Sequence, residues 1–165
     1  MTPPTPSKDT IIQLLQQIPD PEIPVINIVE LGMLKDILIN DNGDITIQLM
    51  PTYTGCPATY QIQTDIEKKL KEHHLNPKIE IVYSPAWTTQ RIHPTALEKL
   101  KKYGIAPPQN NISIHHLMEK QYTIQCPHCG SYNTKLVSPF GSTPCKALFH
   151  CHDCYEPFDY FKCHL

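Results

Sequence analysis

The chain has 165 residues, a formal net charge of −2, and 40% apolar against 18% charged residues. That apolar share supports a real core, and the near-neutral balance excludes a general attraction to nucleic acid or to an anionic membrane. The single arginine, Arg91, weakens a phosphate-reading role further, and no apolar run approaches the roughly 18 residues of a membrane span.

The first residues, Met1 to Pro6, are rich in proline and threonine and are expected to be disordered. They lack the charged and apolar regions of a signal peptide, so a cytoplasmic location is expected. The seven cysteines then read as metal ligands or reactive thiols rather than as a disulfide framework. Ser7 is a candidate N-cap for a helix reaching about Gln17, with Ile11, Ile12, Leu14, Leu15 and Ile18 at helical spacing before Pro19. Asp20-Pro-Glu-Ile-Pro cannot be regular helix. Lys35 to Asn40 and Asp44 to Met50 flank an Asn-Gly turn signal and predict a hairpin. Pro57 opens a second helix running to about His74, Lys78 to Tyr83 predicts a third strand, and Thr95 to Tyr103 a short helix closed by Gly104.

The fold class predicted is α+β: a small mixed sheet with packed helices over 7–103, a linker over 104–121, and a β module over 122–165 that resembles a zinc ribbon. The last segment holds six of the seven cysteines. Cys126 and Cys129, then Cys151 and Cys154, form two CxxC pairs with residues 130–150 between them. Each pair can present two thiolates from a tight turn, and two such knuckles complete a tetrahedral four-sulfur site suited to Zn²⁺. An iron–sulfur cluster is the chemical rival, since thiolates alone do not separate the two. Buried free thiols or a CxxC redox pair are the lesser alternatives. A segment this short gains its folding energy from the metal. Strands over Thr134 to Ser138, Ala147 to His150 and Phe158 to Lys162 are expected to wrap the site. Phe158, Tyr160 and Phe161 are read as ribbon core or as contact surface. Cys145 and Cys163 are spare, and His128, His150, His152 and His164 lie near enough to substitute for a ligand. Three lysines balance three acids over Tyr122 to Leu165, which favours a protein partner over nucleic acid.

Cys56 lies in Thr52-Tyr-Thr-Gly-Cys-Pro57, between a strand end and a helix start. A thiol there faces unsatisfied backbone N–H groups and the positive end of a helix dipole, so an exposed, readily ionised cysteine is expected. The bland alternative is a small buried residue capping the helix. No histidine is close in sequence, so transient metal holding fits better than hydrolysis. Asp20, Glu22 and Glu30 precede Cys56 on shaped loops, and Thr54 supplies a nearby hydroxyl. The chain has no P-loop, no GxGxxG, no GxSxG and no Glu-x-x-His pair, and is not expected to be catalytic by itself.

Asp20-Pro-Glu-Ile-Pro, Glu30-Leu-Gly-Met and Thr52-Tyr-Thr-Gly-Cys-Pro-Ala58 resemble the domain shared by SufT and the cytosolic iron–sulfur targeting factors. Ser84-Pro-Ala-Trp-Thr-Thr89, Tyr103-Gly-Ile-Ala-Pro-Pro108 and Phe140-Gly-Ser-Thr-Pro-Cys-Lys-Ala-Leu148, followed by Cys151, Cys154 and Cys163, narrow the resemblance to the PaaD (PaaJ) accessory proteins of the bacterial phenylacetyl-CoA ring 1,2-epoxidase. Gln90-Arg91 stands where those proteins usually carry an acidic–aromatic pair. The resemblance implies an accessory role in aerobic phenylacetate degradation. It implies help with iron–sulfur cluster assembly or delivery to the Fe–S flavoprotein reductase, a transient cluster at Cys56 with Asp20, Glu22 and Thr54 around it, zinc on the four knuckle cysteines, and a homodimer. A structural subunit of the oxygenase complex and an Fe–S electron-transfer subunit are the alternative roles.

Overall fold

The computed structural model describes residues 6–109, 114–119 and 122–162. The expectation for Met1 to Thr5 and the spare Cys163 and His164 lie outside them. The chain divides after Trp87 into two compact units, each described by itself.

In the first unit, Ser7 caps helix α1 (Lys8–Leu15) by accepting the Thr10 N–H, and Ile11, Leu14 and Leu15 form its buried face. Strands β1 (Leu34–Ile39) and β2 (Ile45–Leu49) pair antiparallel across the expected Asn-Gly loop, where Gly43 takes φ +84°. β2 alternates as half-buried strands do, with Ile45, Ile47 and Leu49 inside. Helix α2 (Ala58–Lys71) follows, burying Ala58, Ile62, Ile66 and Leu70 at three- and four-residue spacing. Strand β3 (Pro77–Ile81) then runs parallel to β2. A parallel pair needs a crossover, and α2 is that crossover. The Cys56 turn therefore leaves the carboxyl end of β2 and enters the amino end of α2. The proline-punctuated segment before β1 is fixed by long-range bonds. Ile28 N–H donates to Ile18 at 3.1 Å, Met50 N–H to Met33 at 2.7 Å, and the buried Trp87 Nε1 to the Leu31 carbonyl at 3.0 Å.

The second unit contains helix α3 (Pro94–Lys102), strand β4 (Ile105–Ala106), helix α4 (Ile114–Glu119) and strands β5 (Thr134–Ser138), β6 (Lys146–Cys151) and β7 (Pro157–Phe161). Sheet order is β4-β7-β6-β5, with β4 parallel to β7 and the other pairs antiparallel. The boundary thus differs from the one expected at residue 103. Ile105 and Ala106 hydrogen-bond with Asp159 and Tyr160, so the stretch expected as a linker supplies a strand and, with Leu117, part of the core. Phe158, Tyr160 and Phe161 are all buried, which decides for ribbon core over contact surface. Phe149 stacks on Phe158 and meets Tyr160 edge-on at the middle of the sheet. The architecture is α+β, with two small mixed sheets. Among the described residues, no helix is long and apolar enough to cross a membrane.

Candidate functional site

Two loops with the same local plan converge in the second unit. In the first, Gly130 N–H bonds back to the Cys126 carbonyl at 2.9 Å, and Cys126 N–H donates to Ser131 at 2.8 Å. In the second, Cys151 N–H donates to Glu156 at 3.0 Å. The residue after each pair takes the left-handed conformation: Gly130 at φ +78° and Tyr155 at φ +62°. Glycine adopts it freely, whereas a tyrosine held there costs about 1 kcal/mol. A carboxylate ties the loops together: Asp153 accepts from the Ser131 hydroxyl and, at 2.7 Å, from the Asn133 amide, while His152 N–H donates to the Asn133 carbonyl at 2.8 Å.

This arrangement brings the four sulfurs of Cys126, Cys129, Cys151 and Cys154 within 4.8 Å of one another. Cys126 lies 3.7 Å from Cys154, and Cys129 lies 3.6 Å from Cys151. Among the described residues, no other trio of histidine, cysteine or carboxylate side chains converges so closely. The first cysteine of each pair is buried, while Cys129 is exposed and Cys154 half-buried. The Cys154 N–H helps hold the Cys151 thiol below its usual range. Four soft donors at this spacing fit a single metal ion.

The Cys56 turn is built as the sequence suggested and behaves otherwise. Gly55 takes φ +81°, Cys56 N–H reaches back to Tyr53 at 3.4 Å, and the Cys56 sulfur receives the Ala58 N–H of α2's first turn. The Thr59 and Tyr53 side chains lie close enough to favour the ionised sulfur. Yet Cys56 is buried, at 9% exposure, and burial pushes its thiol above the usual value despite the Ala58 N–H, with the Glu22 carboxylate adding to the rise. The expected exposed, easily ionised cysteine is therefore corrected: desolvation outweighs the helix terminus. Of the three loop acids, Glu22 is the one whose charge acts on the sulfur. Asp20 is buried and serves its own loop, its Oδ1 accepting the N–H groups of Glu22 at 2.9 Å and Ile23 at 2.8 Å. Glu30 closes a reciprocal cap with Asn27, each side chain accepting the other's N–H. Thr54 is exposed at the tip of the turn. Tyr53 and Thr59 are the neighbours that sequence reasoning missed. A hydroxyl three residues to either side of the cysteine was the available signal.

The raised thiol has a measurable consequence. Iodoacetamide should alkylate Cys56 at least about tenfold more slowly than a free cysteine at pH 7.5, and the rate should climb only above the ordinary thiol range near 8.5. The sign follows from linkage. The fold favours the protonated thiol, so this contribution to stability is present below the unfolded value and lost as pH rises through the folded one. Peptide-level mass spectrometry of Cys56 labelling against pH checks this; free-cysteine rates at neutral pH would contradict it.

Residues 111–162 match the family described as PaaD zinc beta ribbon domain, and residues 8–81 match the family described as iron–sulfur cluster assembly protein. The chain is 44% identical over 96% of its length, and 94% of the other's, to a protein of Escherichia coli strain K12 whose name makes it one of the subunits of 1,2-phenylacetyl-CoA epoxidase. The chain belongs to the PaaD family. Its first unit reaches further afield. It is 31% identical, over 52% of the chain and 84% of the relative, to the Fe-S protein maturation auxiliary factor YitW of Bacillus subtilis. Among solved structures, a domain of unknown function from Bacillus anthracis matches at TM-score 0.53 and 27% identity, covering 56% of this chain and 90% of that one. The PaaD ribbon family thus coincides with the four-sulfur cluster, and the assembly family with the Cys56 turn.

Proposed function

We propose that this PaaD-family chain is a cytoplasmic accessory protein of a phenylacetyl-CoA ring epoxidase and assists iron–sulfur cluster assembly or delivery to its reductase component through Cys56. One observation carries the reading: the assembly-factor unit holds a single cysteine at the amino end of α2, beside a carboxylate, where the N–H of Ala58 already points at the sulfur. Fewer than three ligands converge there among the described residues, which suits passage of a cluster better than storage. The cluster is cargo, and the client or a second copy of this chain supplies the remaining ligands. The raised thiol stays protonated and inert until iron displaces its proton, and the Glu22 charge favours that protonated resting form. Thr54, at the exposed tip, belongs to the surface the client meets. The four knuckle cysteines hold structural zinc. A Zn–S bond near 2.3 Å implies a tetrahedral edge of about 3.8 Å, close to the 3.6 and 3.7 Å between sulfurs. A cubane binds each cysteine to a different iron and spreads the sulfurs wider.

Cys56→Ala tests the delivery role. It should cost about 1 kcal/mol in stability, yet leave co-expressed reductase without its cluster, read from its visible absorption and iron content. The burial of Cys56 favours a second reading, a structural subunit of the oxygenase complex. Cluster-replete reductase beside the variant, with this chain co-purifying at fixed stoichiometry, would establish that reading instead.

A further inference from the structure

Loop 139–145 encloses two reactive side chains that the metal knuckles do not use. Lys162 is 1% exposed, donates its ammonium to the Pro139 carbonyl, and sits 4.0 Å from the centroid of the Phe140 ring. Among the described residues, no carboxylate forms an ion pair with it. Cys145 is 3% exposed and is its cross-strand neighbour. Lys146 faces Phe161 in the β6–β7 ladder, and the next rung is the Lys162 N–H donating to the Cys145 carbonyl at 3.1 Å. Residues so paired share a face, with Cβ atoms about 5 Å apart. The Thr143 hydroxyl lies 3.0 Å from the Cys145 sulfur. Burial lowers the Lys162 ammonium to about 8, with the neighbouring Cys145 charge acting in the opposite sense, so neutral amine is present near neutral pH.

We propose that Cys145 and Lys162 form a covalent modification site, joined by a nitrogen–oxygen–sulfur bridge when the chain meets dioxygen. One S–H and one N–H bond break, the O–O bond breaks, and S–O and O–N bonds form. One oxygen atom stays in the bridge, and the other leaves as water with the two released hydrogens. Sulfur and nitrogen each give up two electrons, and dioxygen takes all four. Both groups are closed off from bulk solvent but remain reachable by dioxygen, a small apolar molecule, which directs oxidation to the amine that shares the face of the sulfur.

The full-length chain, purified anaerobically with its metal and then held in air-saturated buffer, provides the test. Its intact mass should rise by about 14 Da, one oxygen gained and two hydrogens lost, and return on dithiothreitol treatment after unfolding. Proteolysis should yield one peptide linking positions 145 and 162. Lys162→Arg keeps a cation over Phe140 but removes the nucleophilic amine, and should abolish the linkage, as should Cys145→Ser. Chain kept unfolded in urea should not form it. An unchanged mass, a gain of about 16 or 32 Da on Cys145 alone, a Cys145–Cys163 disulfide, or a linkage that survives Lys162→Arg would each overturn the proposal.

Discussion

Cys126→Ser or Cys151→Ser is expected to unfold the second unit and to leave the first folded. Both side chains are fully buried and belong to the ribbon's own core cluster, beside Phe149, Phe158 and Tyr160. Removing one therefore breaks a metal site and a core together. Magnitudes decide the outcome: structural zinc supplies about 10–16 kcal/mol of apparent binding free energy in small domains, whereas a whole domain is stable by only about 5–15 kcal/mol. The apolar cluster alone does not cover that loss, and three sulfurs, one of them buried and one half-buried, would remain without a counter-ion. Amide signals of residues 122–162 should collapse toward random-coil positions, and bound metal should vanish from elemental analysis. The signals of α1, α2 and β1–β3 should hold, because those elements form their own core of isoleucine and leucine. A strong chelator should reproduce the effect on the unaltered chain. A dispersed, metal-free ribbon in the Cys126→Ser chain would refute the account.

Asp20→Ala is expected to cost about 3 kcal/mol, because two backbone N–H groups lose a charged acceptor inside the first unit. Asp20 is 6% exposed, and the Ile23 that it holds is 1% exposed. Water therefore cannot replace the carboxylate cheaply. Asp20→Asn keeps an oxygen at the same position and should cost only about 1 kcal/mol. Urea unfolding of the two variants separates roles that the sequence left merged. If Asp20 acts by shaping the loop that carries Glu22 to Cys56, cluster delivery should follow stability and recover in Asp20→Asn. If it handles metal directly, Asp20→Asn should remain folded and still fail to deliver.

These contrasts mark where the sequence could be read. Elements whose cause is local were legible: the Ser7 cap, the Asn-Gly hairpin, the alternation of β2, and the paired CxxC turns, which lie within a residue or two of their expected bounds. Cys56 shows the limit. Its place at the amino end of α2 follows from Gly55 and Pro57, but its ionisation depends on how much protein closes over it. Glu22 and the side chains of Tyr53 and Thr59 come to act on the sulfur only in the folded chain. β4 was missed for a related reason. Two residues carry no period, and Ile105-Ala106 becomes a strand only because β7, some fifty positions later, offers it an edge. Asp20 was visible as an acid near proline, and the local turn in which its oxygen takes the N–H groups two and three residues ahead went unread.

The short β4 also dictates where this chain can be cut. The matched ribbon segment begins at residue 111, beyond Ile105 and Ala106. A fragment started there would strip one side of β7, leaving its Asp159 and Tyr160 backbone groups unpaired and a gap in the cluster where Ala106 packs. Such a bare edge invites pairing with another copy. A recombinant ribbon begun at 111 should therefore self-associate, whereas one that starts ahead of α3, near Thr88, keeps its own edge strand.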